Sequence, residues 1–151
     1  MDKSPTEWMI EPLRKYAQFT GRARRAEYWW FFLAAFLVSV TATVFDSIVG
    51  LKPLGLSTAI SLGLIVPQLA VAVRRLHDID RTGWWFAAPI AVFVPFGAVL
   101  AMNVSNGGGM LAVLLGLAAF AFSVLMIVWY CTRGTAGPNR FGLDPLVHLA
   151  E

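Results

Sequence analysis

The sequence predicts an all-α membrane protein, a four-transmembrane-helix up-down bundle with a short N-terminal amphipathic interfacial helix. Three observations carry that reading. Apolar residues make up 58% of the chain and charged residues 14%, against about 45–50% and about 25% in soluble domains. Four apolar runs each approach the roughly 20 residues that a helix needs to cross a bilayer. Eleven of the twelve lysines and arginines lie in segments that these runs place on one side.

In chain order, residues 1–21 form a cytoplasmic amphipathic segment. Trp8, Pro12, Leu13, Tyr16 and Phe19 recur at near-helical spacing, which predicts a helix over about 7–20 lying in the interface or packed on the bundle mouth. Pro12 suits a helix start and Gly21 a helix end. A transmembrane domain follows over 22–131, with spans at about 29–50, 54–73, 84–102 and 110–131, and residues 132–151 form a tail. The connections at 51–53, 74–83 and 103–109 are short, so neighbouring helices run antiparallel. None of the runs alternates as a barrel strand would. The first begins near residue 29 and is too long for a cleaved signal peptide.

Orientation follows from the positive residues. Lys3, Arg14, Lys15, Arg22, Arg24 and Arg25 precede the first span, Arg74, Arg75 and Arg81 follow the second, and Arg133 and Arg140 follow the fourth. Lys52 stands alone on the other side. Both termini and the 74–83 hairpin are therefore expected in the cytoplasm, and Trp29, Trp30, Trp84, Trp85, Trp129 and Tyr130 form an aromatic belt there.

This placement accounts for the net charge of +3 and the pI near 9.4, so nucleic acid is not an expected partner. The partners expected are membrane lipids with anionic headgroups, with a homo-oligomer or a membrane protein partner as further candidates. One cysteine, Cys131, excludes an intramolecular disulfide. His77 and His148 stand too far from other ligands for a zinc site, and neither a metal nor a cofactor is expected. Asp46, the one acid inside the spans, is expected to meet outer headgroups or Lys52. Gln68 beside Pro67 is placed to bond across helices, although a kink is the simpler account. Pro89, Pro95 and Gly97 read the same way. Gly107–Gly109 read as a flexible turn, and the Asn103-Val104-Ser105 sequon is discounted as chance.

The polar residues gather in three strings, Phe19–Trp29, Arg74–Trp85 and Gly134–Pro145, which an up-down bundle brings to one face. The candidate ligand-binding residues are Arg22, Arg25, Arg74, Arg75, His77, Asp78, Arg81, Asn139, Arg140 and Asp144. One reading is an ion-pair network that locks the helix ends together. The other is a pocket for a phosphate or an anionic headgroup, with Arg22, Arg25, Arg74, Arg75 and Arg140 as forks and the glycine-rich backbone of 134–142 adding amides. Catalysis would make His77 a general base or acid oriented by Asp78 or Asp80. No nucleophile stands beside it at convincing spacing.

The three strings resemble the bacterial inner-membrane family called domain of unknown function 805. Phe19 to Trp29 fits its F-x-G-R-x-x-R-x-E-Y-W start. Arg74 to Trp85 fits R-R-L-H-D-x-x-R-[ST]-G-W-W, and Gly134 to Pro145 fits G-x-x-G-x-N-R-[FY]-G-x-D-P. The resemblance implies a small multi-span protein of the bacterial inner membrane and carries no established activity. The expectation is a non-enzymatic membrane module whose cytoplasmic polar face binds anionic lipid headgroups, a small anion or a protein partner. An oligomeric transporter or channel subunit, and an enzyme on lipid-linked substrates, are the alternatives.

Overall fold

The computed structural model describes residues 4–51, 55–103 and 109–146. These form α1 (Pro5–Arg14), α2 (Arg25–Val49), α3 (Leu56–Asp78), a 3-10 turn at Gly83–Phe86, α4 (Ala88–Asn103) and α5 (Gly109–Cys131). Expectations placed on Lys52, the Gly107–Gly109 turn, the Asn103-Val104-Ser105 triplet and His148 fall, in whole or in part, outside the described residues.

Helices α2, α3 and the Met110–Cys131 part of α5 are long and apolar enough to cross a membrane. The expected third span, 84–102, is divided. Trp84 and Trp85 lie in the 3-10 turn, and α4 begins only at Ala88 and has 16 residues. Pro89 explains that boundary, since proline suits the first turn of a helix and breaks an interior one.

Helix α1 starts and stops earlier than its apolar spacing predicts. Ser4 and Glu7 form a reciprocal capping box, with Pro5 in the first turn. The helix ends at Arg14 because the backbone beyond it turns its carbonyls elsewhere: those of Lys15 and Gln18 both accept from Arg74. Trp8, Glu11 and Pro12 are buried against the bundle, whereas Ile10, Leu13, Tyr16 and Phe19 stay exposed.

Packing pairs α2 with α3 and α4 with α5. The pairs meet at the arginine-bearing end, around Ala72, Leu76, Met126 and Tyr130. Tyr28 of α2 stacks on Tyr130 of α5 with ring centres 4.4 Å apart. A second cluster joins Ala23, Phe31 and Val71.

Two polar contacts inside the apolar layer show how a membrane helix is completed by its neighbours. Gly55 at the N-cap of α3 has no side chain to offer. Asp46 of α2 replaces it, accepting from Leu56 N at 2.9 Å, Ser57 N at 2.8 Å and Ser57 Oγ at 2.5 Å. A Cβ on Gly55 would overlap that carboxylate. Asp46 therefore caps α3, where the sequence suggested a headgroup or Lys52. Pro67 has no N–H for the carbonyl four residues earlier, that of Gly63. Tyr16 Oη donates to this carbonyl at 2.7 Å, while Gln68 is exposed.

Candidate functional site

The apolar stretch of α3 ends at Val73, and Arg74, Arg75 and Asp78 follow on its last turn. Arg75 and Asp78 are neighbours at i, i+3 on the helix surface. Asp78 Oδ2 accepts from Arg75 Nη1 at 2.5 Å, and Oδ1 accepts from Arg22 Nε at 3.0 Å. One carboxylate thus stands between two guanidinium groups, and all three side chains are at most 6% exposed.

The remaining donors of these arginines go to backbone carbonyls. Arg75 Nε donates to Tyr130 O at 3.1 Å and Nη2 to Thr132 O, while Arg25 Nη1 donates to Cys131 O at 3.2 Å. These carbonyls lie at the end of α5, where no further helical N–H can reach them and the helix carries partial negative charge. Arginines from α2 and α3 therefore cap a third helix. Arg22 Nη1 donates to Gly137 O at 2.7 Å and Nη2 to Thr135 O at 2.6 Å, which ties the tail to the same group. Arg74 points the other way, to Glu27 Oε1 at 2.8 Å and to the carbonyl of Gln18. Its Nε is buried with no partner among the described residues. Burying this much charge is tolerable only because each ion is paired and further hydrogen-bonded.

The tail completes the polar end. A Cβ on Gly134 would overlap the Asp78 carboxylate, which fixes glycine there. Thr135 N donates to Asp78 O at 2.9 Å. Asn139 Nδ2 donates to His77 O at 2.9 Å, and its Oδ1 accepts from Phe141 N at 2.9 Å. His77 stacks on Phe141 with ring centres 3.9 Å apart. Its Nδ1 lies 3.1 Å from the Gly21 carbonyl, which can only accept, so Nδ1 carries a proton. The ring so held is a packing and bridging group. Arg140 pairs with Asp80 at 3.0 Å on the surface, and Arg81 lies over the Trp129 ring at 4.8 Å. Asp144 accepts from the amides of Leu146 and Gly137, both at 2.9 Å. These donors, Leu146 foremost, hold its carboxyl below the usual range.

Beside this network opens a cavity of about 500 Å³, walled by Trp8 of α1, the start of α2 and the tail. Arg24, Arg25 and Arg133 line it, with Arg22, Asp78 and Asp144. Arg24 lies over the Trp8 ring at 5.4 Å. Of the ten sequence candidates, Arg22, Arg75 and Asp78 form one cluster. Arg74 adjoins it, His77 and Asn139 dock the tail, and Arg81 and Arg140 make their contacts at the periphery. Arg25 and Asp144 line the cavity. Sequence reasoning left out Arg24 and Arg133 as site residues, and it did not single out Glu27 as the partner of Arg74. Arg133 stands two residues beyond α5, where side-chain direction follows no period, and proximity to the mouth was its only sequence signal. No group of three or more His, Cys, Asp or Glu suited to a metal occurs among the described residues.

The chain is similar to two inner membrane proteins of Escherichia coli K12. It is 37% identical to inner membrane protein YhaI over 139 residues, covering 92% of this chain and 95% of the relative. It is 33% identical to inner membrane protein YhaH over 143 residues, covering 92% and 96%. No solved structure matches it. The family described as protein of unknown function (DUF805) matches residues 16–143. With nearly the whole chain matched, this integral membrane protein belongs to the DUF805 family.

Proposed function

We propose that this protein is a non-enzymatic module of the bacterial inner membrane, with four spans and both termini cytoplasmic, whose cytoplasmic face binds an anionic group. The observation that carries the reading is the cavity rimmed by Arg24, Arg25 and Arg133. Arg22 and Arg75, which direct Nε and both terminal nitrogens to acceptors within the chain, belong to the buried cluster. The buried cluster is then the scaffold and the cavity the site. Charge asymmetry supports the orientation. The third of the four spans is α4 together with its 3-10 turn. At about 1.5 Å per α-helical and about 2 Å per 3-10 residue, the two reach about 32 Å, close to the roughly 30 Å of hydrocarbon.

The test is native mass spectrometry of protein released from mild detergent, with wild type beside Arg24→Gln/Arg25→Gln/Arg133→Gln. A reproducible anionic adduct on wild type that the triple variant loses supports the reading. A wild type that stays bare in the presence of phosphate, glycerol phosphate and anionic phospholipid refutes it.

A further inference from the structure

Resting on that reading, we infer that the anion is the phosphate of a membrane phospholipid, which enters sideways from the cytoplasmic leaflet between α2 and α5. The cavity lining sets four arginines against Asp78 and Asp144, a surplus of two positive charges suited to a phosphate. Guanidinium forks match its oxygens. Asp144, whose oxygens accept two backbone amides, is one of the two negative charges in that balance.

What selects a lipid over a soluble phosphate is the shape next to the cavity. A shallower depression of about 320 Å³ shares Arg25 and Ala26 with it and runs on to Trp29, Trp30 and Cys131. Tryptophan at a membrane interface offers an apolar face and a polar edge to the glycerol–ester zone of a lipid. Beyond it, Leu33 of α2 and Ile127 and Val128 of α5 present exposed apolar surface, along which acyl chains can lie. A polar pocket, an amphipathic groove and an apolar flank thus follow one another in the order of headgroup, glycerol and chain. Inorganic phosphate would use only the first.

The experiment uses full-length protein in mild detergent and three probes: phosphatidylglycerol, glycerol phosphate and inorganic phosphate, each titrated by native mass spectrometry. The sole cysteine, Cys131, is exposed and lines the groove, so a bulky maleimide there obstructs the groove without removing an arginine's charge. Phosphatidylglycerol should bind wild type. Binding should fall roughly a hundredfold in Arg24→Gln/Arg25→Gln/Arg133→Gln, at about fivefold per arginine. It should fall at least about tenfold on Cys131 modification, the loss of a few buried methylenes. If glycerol phosphate or inorganic phosphate binds as tightly as the lipid and ignores the maleimide, the ligand is soluble; the lipid inference fails and the anion reading stands. If the lipid stays on the triple variant, its site is elsewhere and the inference fails. If no probe binds, both fall.

Discussion

Asp78→Asn is the sharpest probe of the buried cluster. The substitution keeps the shape and removes the one negative charge between Arg22 and Arg75, whose side chains are 2% and 0% exposed. An amide can still accept one hydrogen bond, but its NH₂ would face a guanidinium donor. Two cations would then share a dry site with only carbonyls to balance them. Removing one partner of a buried pair costs about 3–5 kcal/mol, a large part of the roughly 5–15 kcal/mol that holds a domain folded. At about 2–4 °C per kcal/mol for a chain of this size, Tm in detergent should fall by about 6–20 °C. Arg140→Gln is the control. Its pair with Asp80 is 57% and 46% exposed, worth less than about 1 kcal/mol, so Tm should move by no more than about 2–4 °C. If Asp78→Asn melts within that same margin of wild type, the cluster does not hold the helix ends and the reasoning is wrong.

Four further outcomes are expected. Gly134→Ala and Gly55→Ala each drive a methyl into a carboxylate that is already fully engaged, so both should lose about 1–3 kcal/mol as overpacked sites do. Gly63→Ala meets open space and should melt like wild type; equal melting of all three would remove the steric argument. Tyr16→Phe leaves the Gly63 carbonyl without its donor and should cost about 0.5–1.5 kcal/mol, read in the same melts. The carboxyl of Asp144 is depressed below its ordinary 3.8 by the tail amides, so the stability it adds is complete above that pH and vanishes as pH falls through the lower folded value. Protection of residues 134–146 against hydrogen exchange, taken relative to the intrinsic rate at each pH, should therefore fall in acid below 3.8, and Asp144→Asn should show that lower protection already at neutral pH; matching protection in the two proteins would contradict this. Finally, a membrane-impermeant maleimide should label Cys131 in inside-out vesicles and spare it in intact spheroplasts, and the opposite pattern would reverse the proposed orientation.

Much of the architecture could be read from the chain because lipid leaves few options: backbone groups must be satisfied within a helix, so long apolar runs become helices. The third run shows the limit. Its apolar content continues from Trp84, but Pro89 sets where the α-helical hydrogen bonding begins, and a hydropathy window does not register that. The candidate site was half legible. Arg75 and Asp78 announce themselves by i, i+3 spacing, and Arg22 by charge. The carbonyls of Thr132, Thr135 and Gly137 do not, because a carbonyl is common to every residue type and only the path of the backbone brings it within reach. Asp46 illustrates the same point. An acid near a span end suggests headgroups until the fold shows α3 starting beside it with a glycine for a cap.

The closing of the arginine cluster by the tail has a consequence for biogenesis. Arg22 is made early, yet its acceptors are Asp78 and the carbonyls of Thr135 and Gly137, and Arg75 waits for those of Tyr130 and Thr132. A nascent chain that has made only α2 and α3 therefore holds guanidinium groups whose carbonyl acceptors do not yet exist. They settle only when residues 130–137 have been translated. A chain stopped short of Thr132 should therefore be recognised as unfinished by membrane proteases, although its long apolar helices would already be made.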